Sequence, residues 1–174
     1  MEVKRQEDLL RIKEEYLARK ESYRRQVLVC GGAGCISSNC GEVRDALVKA
    51  VENFQLSGEV QVMVTGCMGT CAMGPVILVE PEGVFYTKMT PDKVEQVVAR
   101  HLLKDEICEE FTYFNEETGK YVPRMEDIDF FQGQVRIALR NCGHMEYASL
   151  EAYISRDGYG ALAKALCGMT PQDV

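Results

Sequence analysis

The sequence predicts an α/β fold, a layered sheet with helices packed on it, and three observations lead there. Between residues 26 and 104, apolar β-branched runs of strand length alternate with stretches whose apolar residues recur at helical spacing. Two of the runs, Val27-Leu28-Val29 and Val60 to Thr65, lead directly into glycine-bearing loops that each hold a pair of cysteines. Those cysteines stand as C-x4-C (Cys30, Cys35), a gap of 31 residues, then C-x3-C (Cys67, Cys71). Loops at the ends of two neighbouring strands can converge on one point, so such a sheet would gather four thiols.

In chain order, residues 1–25 are expected to form an N-terminal helix. They are charged, with one narrow apolar stripe at Leu9, Ile12 and Tyr16, and Leu10 and Leu17 offset from it. The stripe either packs on the helix's own domain or docks a neighbouring subunit. Val27–Val29 is the first strand. Ser37-Ser38-Asn39 offers N-cap candidates, and Val43, Ala46, Leu47, Ala50, Val51 and Phe54 mark one face of the helix from Glu42 to Phe54. A Ser57-Gly58 break precedes the second strand, Val60–Thr65. Val76–Val79 and Val84–Tyr86 flank the turn Pro81-Glu82-Gly83 and read as a hairpin. Thr90 as cap with Pro91 at the first helical position starts another helix through Val94, Val97, Val98 and His101-Leu102-Leu103. The order β-α-β-β-β-α is that of a thioredoxin-like sheet.

Residues 105–125 read as an acidic linker that holds a small hairpin at most. From 126 onward the texture changes: Val135–Arg140 is strand-like, Leu150–Ser155 helical, Gly158-Tyr159-Gly160 a break, and Ala161–Leu166 a short helix. Met169-Thr170-Pro171 reads as a fresh helix start. About 45 residues do not readily bury a core of their own, so 126–174 is expected to open a larger α+β domain.

The apolar fraction of 46% across 174 residues is that of a folded chain. The net charge of −7 disfavours a nucleic-acid partner, which needs a concentrated basic face. The acidity is local, because 105–129 holds nine acids against Lys120 and Arg124. No apolar run approaches the roughly 18–20 residues that span a bilayer, and the N-terminus lacks the apolar core of a signal peptide. A cytoplasmic protein without membrane insertion is the expectation. In that setting eight cysteines favour metal or cluster ligation over a disulfide framework.

Three chemistries compete for Cys30, Cys35, Cys67 and Cys71. Structural zinc accepts such spacing and would make the protein a stapled interaction module. A redox disulfide prefers C-x-x-C at a helix start, which neither pair has. A [2Fe-2S] cluster needs four thiolates and backbone N–H groups close to its sulfides. Gly31, Gly32, Gly34, Gly66, Gly69 and Gly74 let the main chain come that close. The residues favour the cluster and leave the other two open.

Resemblance adds to this. The runs Cys-Gly-Gly-Ala-Gly-Cys-Ile-Ser-Ser (30–38) and Gly-Cys-Met-Gly-Thr-Cys-Ala-Met-Gly-Pro (66–75) resemble the thioredoxin-like [2Fe-2S] ferredoxin domain. Arg140-Asn-Cys-Gly143 and Asp157-Gly-Tyr-Gly-Ala-Leu-Ala-Lys-Ala-Leu166 are similar to the start of the NADH-binding flavoprotein subunit of complex I (the 51 kDa type). Both in this order resemble the N-terminal part of the NAD(P)-linked beta subunit of electron-bifurcating iron hydrogenases and formate dehydrogenases. The resemblance implies one [2Fe-2S] cluster on Cys30, Cys35, Cys67 and Cys71. It places FMN, NAD(P) and a [4Fe-4S] cluster only in a following domain, and implies other iron–sulfur subunits as partners. No nucleophile–base pair is visible, so no catalytic residue is expected in this chain.

The remaining candidates are expected to be bland. Cys40 repeats the x4 spacing after Cys35, but the resemblance falls on Cys30 and Cys35 and leaves it a thiol at the start of a helix. Cys108, Cys142 and Cys167 lack ligand spacing and default to buried free thiols. His101 and His144 are lone histidines, and a Rieske-type site would need paired Cys and His. Met68 and Met73 flank the second loop and would shield a cluster from water.

Overall fold

Parallel pairing of two strands sets the geometry of everything near the cysteines. The computed structural model describes residues 5–174, so Met1 to Lys4 of the expected N-terminal helix lie outside the described residues. Two units are distinguished among the described residues, 23–147 and, separately, 5–22 with 148–174.

In the first unit β1 (Arg25–Cys30), β2 (Val60–Thr65), β3 (Ile77–Glu80) and β4 (Val84–Tyr86) form one sheet in the order β2-β1-β3-β4. β1 and β2 run parallel in a register that sets Arg25 opposite Val60 and Cys30 opposite Thr65. β3 is antiparallel to β1 with Val29 opposite Ile77. The chain therefore leaves β1, leaves β2 and enters β3 at the same end of the sheet. Gly31 N–H donates to Thr65 O (2.9 Å) and Cys30 N–H to Val76 O (3.1 Å), which ties the three segments together there.

Every residue of β1 is buried, as a central strand covered on both faces requires. Val27, Leu28 and Val29 each contribute about 1.5–3 kcal/mol by leaving water. α3 (Cys40–Asn53) lies on β1 and β2 through Val43, Leu47, Ala50 and Val51, and against α4 (Pro91–Val97). Thr90 caps α4 with extended backbone and Pro91 takes the first turn, as the sequence predicts. The helix then widens into a π-turn over Val98–Leu102. The guanidinium of Arg24 donates to the Leu102 carbonyl at this turn, and that of buried Arg25 to His101 O (3.3 Å). Arg25 also holds Glu82 (2.7 Å) and Asp105 (2.7 Å), so one cation joins β1, the β3–β4 turn and the helix end.

The acidic stretch is a correction to the expected linker. Ile107, Cys108, Phe111, Val122 and Met125 pack on the core of the sheet unit, and β5 (Tyr113–Asn115) pairs with β6 (Lys120–Val122) in the expected hairpin. Its backbone covers the free edge of β4, with Phe85 N–H donating to Pro123 O (2.8 Å) and Thr87 N–H to Phe111 O (2.9 Å). Apolar residues interleaved among the acids supply the burial that the charge count hides. The boundary at 126 moves as well, since 126–147 stays with the sheet. Val135–Arg140 is not the strand its alternation predicts. A strand needs a paired neighbour, and among the described residues this segment pairs with none. Val135 is 86% and Ile137 78% exposed.

In the second unit α1 (Gln6–Glu21) packs on α5 (Leu150–Ser155), burying Ile12 and Tyr16 with Ala152 and Ile154. Lys13 pairs with Asp157 at 2.6 Å. The N-terminal helix thus finds its partner within the chain, in the C-terminal segment. α6 (Gly160–Gly168) follows the glycine break. In the closing turn the Asp173 carboxylate accepts from Thr170 N–H (2.9 Å) and Oγ1 (2.7 Å), the bonding of a helix's first turn.

His101 is a core histidine. Its Nδ1 lies 2.9 Å from the Tyr86 hydroxyl, whose oxygen also accepts from Cys108 N–H at 3.3 Å. The Tyr86 proton is thus free for Nδ1, and burial favours the neutral imidazole. Burial, helped by the cation of Arg25, lowers the His101 pKa from 6.5 to about 4. The unfolded chain binds this proton first as pH falls, so stability is full above about pH 6.5 and declines toward pH 4, by about 3 kcal/mol in all. Urea unfolding across pH 4.5–7.5 checks this. His101→Asn, which keeps an acceptor for Tyr86, is expected to remove that part of the slope.

Candidate metal centre

Each cysteine of the quartet is placed by an element the sequence builds locally. Cys30 is the last residue of β1, and Cys35 sits on α2 (Ala33–Ser37), a helical turn where the sequence predicts only a loop. Gly32 ends the extended backbone and its carbonyl accepts from Ile36 N–H at 2.9 Å, closing that turn. Cys67 follows β2 by two residues, and Cys71 opens a 3-10 turn over Cys71–Met73. Gly69, at φ 93°, turns the chain between them and points its N–H at Cys67 Sγ, 3.4 Å away.

The two loops face each other main chain to thiol. A Cβ added at Gly32 would lie 2.9 Å from Cys67 Sγ, and one at Gly34 3.0 Å from Cys71 Sγ. At Gly74 it would lie 3.1 Å from Cys35 Sγ. The cysteine side chains thus fill the space where side chains on these glycines would stand, which brings the main chain close to the sulfurs. Cys30 hydrogen-bonds with Cys35 and Cys67 with Cys71, and Cys67 also neighbours Cys30, so the two pairs adjoin. Among the described residues no three Cys, His, Asp or Glu side chains close round a single ion.

Electrostatics follow from burial. Desolvation, then the neighbouring Cys30, pushes the Cys35 thiol up to about 12. At Cys67 the Gly69 amide pulls downward, but burial and the adjoining Cys30 and Cys71 outweigh it and the net shift is upward. Metal-free, these groups are thiols at neutral pH, so loading iron displaces protons. Exposure is graded: Cys30 and Cys35 are buried, Cys67 is half-buried and Cys71 is exposed.

Two pairs of thiols match the donor set of a two-iron rhomb, in which each iron takes two cysteines and shares the bridging sulfides. The buried Thr70 hydroxyl, next in the chain to Cys71, has no protein partner, an orphan donor of the kind a bound group would satisfy. Donors, glycine cradle and orphan hydroxyl fit a [2Fe-2S] group.

Other expected residues divide. Met68 is buried and Met73 partly so. Cys40 begins α3 as a buried thiol whose pKa is raised by burial and then by Cys30. Cys108 is buried, as the default predicts, but Cys167 is exposed and Cys142 half-buried. Cys167 lies on α6, none of whose residues is buried. Cys142 is the residue sequence reasoning missed. Its Sγ stands 2.6 Å from where a Cβ of Gly66 would be, beside Cys67. No spacing signal reaches across the 74 residues between Cys67 and Cys142.

Because the cradle is built of absent side chains, restoring them disrupts it. Gly32→Val or Gly34→Val is expected to cut iron bound per chain severalfold. Gly41→Ala, on α3 with nothing within 4 Å of its Cβ, is expected to leave iron unchanged and stabilise by about 0.5–1 kcal/mol. Iron analysis and thermal unfolding of the three variants check this.

A family model described as thioredoxin-like [2Fe-2S] ferredoxin matches residues 15–102. The 2Fe-2S ferredoxin of Clostridium pasteurianum is 40% identical over 73 residues, covering 42% of this chain and 72% of that protein. The 2Fe-2S ferredoxin of Aquifex aeolicus is 36% identical over 69 residues, 39% of this chain and 62% of its own length. The crystal structure of the thioredoxin-like [2Fe-2S] ferredoxin from Aquifex aeolicus aligns with a TM-score of 0.47 at 32% identity, over 51% of this chain and 95% of that one. The family model, which matches half of the chain, and the Clostridium pasteurianum relative show that the chain belongs to the thioredoxin-like [2Fe-2S] ferredoxin family.

Proposed function

We propose that Cys30, Cys35, Cys67 and Cys71 hold one [2Fe-2S] cluster and that the chain is a one-electron carrier module of an NAD(P)H-linked flavoprotein oxidoreductase. The observation that carries the cluster is the pairing of the thiols across a main-chain cradle of glycines. When bound, the cluster supplies one reversible electron at a potential its surroundings set. The protein's residues do the rest. Cys30 and Cys35 anchor the buried side on β1 and α2. Cys71 brings the exposed side to the surface, where an electron can be exchanged with a partner. Gly69 N–H points at Cys67 Sγ and can stabilise charge on it, and the unpartnered Thr70 hydroxyl is a donor that the bound group would satisfy.

The oxidoreductase context rests on Arg140–Gly143 and Asp157–Leu166, which resemble the opening of a flavoprotein domain. Electrons would pass between the flavin of that assembly and its other iron–sulfur subunits, as in hydrogenases, formate dehydrogenases or complex I.

Iron, acid-labile sulfide and zinc per chain, measured on anaerobically purified protein with an EPR spectrum after dithionite, test the cluster. Two irons, two sulfides and a rhombic S = 1/2 signal are expected. One zinc without sulfide would leave a stapled structural module instead. Cys67→Ser and Cys71→Ser should lose or grossly alter the visible spectrum, whereas Cys40→Ser should leave it intact. Capture of the tagged chain from its source cells tests the context. A complex with FMN, in which NADH or NADPH bleaches the cluster, supports it; a chain recovered alone counts against it.

A further inference from the structure

We infer that residues 141–147 form a cover over the Cys67 side of the cluster loops, and that Thr65 is the positioning residue that latches it; this rests on the [2Fe-2S] reading above. The segment lies outside residues 15–102, where the ferredoxin family matches, and sequence spacing gives no sign of it. β2 is an edge strand, and its outer side receives this segment. Tyr147 N–H donates to Val64 O at 2.7 Å, and Glu146 bridges antiparallel to Thr65. The Thr65 hydroxyl, fully buried, accepts from Gly143 N–H at 2.9 Å.

These bonds seat three groups round the second cysteine loop. Cys142 Sγ packs on the face of Gly66, and Gly66 must be glycine for it to do so. Gly143, at φ 86°, lies against Met68, itself buried. The Cys142 carbonyl accepts from Arg136 Nη1 at 3.2 Å, which holds the cover from its outer side. Gly66 and Met68 are the two neighbours of Cys67 in the chain, so the cover packs on either side of that residue, whose thiol stays half-buried at its edge.

A four-thiolate cluster gains one negative charge when it takes up one electron, with no bond made or broken. Water beside it favours the more charged, reduced state, and a dry cover disfavours it. The latch therefore holds the reduction potential down. Thr65→Val keeps the shape of the side chain and removes the acceptor, leaving Gly143 N–H unpaired. Thr65→Ser keeps the acceptor.

The test is a dye-mediated dithionite titration of the cluster-loaded chain, with iodoacetamide labelling of the loaded wild type read by peptide mass. In the wild type Cys142 is expected to react severalfold more slowly than exposed Cys167. Thr65→Val should raise the midpoint potential and speed labelling of Cys142 severalfold, and Thr65→Ser should restore both. Cys142→Ala, which opens the cover without touching β2, should also raise the potential and decides the matter if Thr65→Val does not fold. An unmoved or lowered potential in these variants with an intact cluster, or Cys142 labelled as fast as Cys167, overturns the latch alone. A wild-type chain that takes up no iron and sulfide overturns it together with the cluster reading.

Discussion

The parallel pairing of β1 with β2 is the constraint on which the site depends. Parallel strands release their chains at the same end, and the register puts Cys30 level with Thr65. Loops that follow two such strands start about one strand spacing apart, roughly 4.8 Å. β3 then enters beside β1 at that end, so the second loop is held at both its ends. An antiparallel β1–β2 pair would send the two cysteine loops to opposite ends of the sheet. The complete burial of β1 and the packing of α3 on it therefore position the thiols as well as stabilise the fold.

The grading of exposure across the quartet gives the site a direction. Cys30 and Cys35 belong to a core strand and a helical turn folded against it, whereas Cys67 and Cys71 lie on a loop at the rim. A redox group in such a place is insulated on one side and reachable on the other. Polar groups gather at the rim as well: the Gly69 amide points at Cys67 Sγ, and Thr65, just before the second loop, holds the segment that follows the acidic hairpin. The sheet supplies rigidity, and the loops and their cover supply adjustment.

The acidic hairpin shows how charge and packing separate along one stretch. Its acids face solvent or pair with arginines, while Ile107, Cys108, Phe111 and Met125 enter the core between them. Arg25 gathers Glu82 and Asp105 at a buried point, so part of the acidity is spent internally. Removing these acids would cost more than breaking a surface pair, because the Arg25 guanidinium left behind stays buried.

Local order was legible in the sequence wherever one element carried its own signal. The β-branched runs, the apolar face of α3, the Thr90-Pro91 start and the glycine-framed cysteine pairs all describe short segments, and short-range sterics and burial decide them. Leu150–Ser155 and the hairpin turns belong to the same group. The failures have one cause, dependence on a distant partner. Val135–Arg140 alternates like a strand but has no neighbour to pair with, and 105–125 reads as a linker because its acids outnumber the apolar residues that bury. The helical turn at Cys35, the neutral state of His101 beside Tyr86 and the seating of Cys142 on Gly66 were decided only in three dimensions. Each depends on a group far away in the chain, and periodicity carries no information about which distant surfaces will meet. The sequence by itself determined which four thiols and which glycines are available; the tertiary structure decided how they face each other and what shuts out the water.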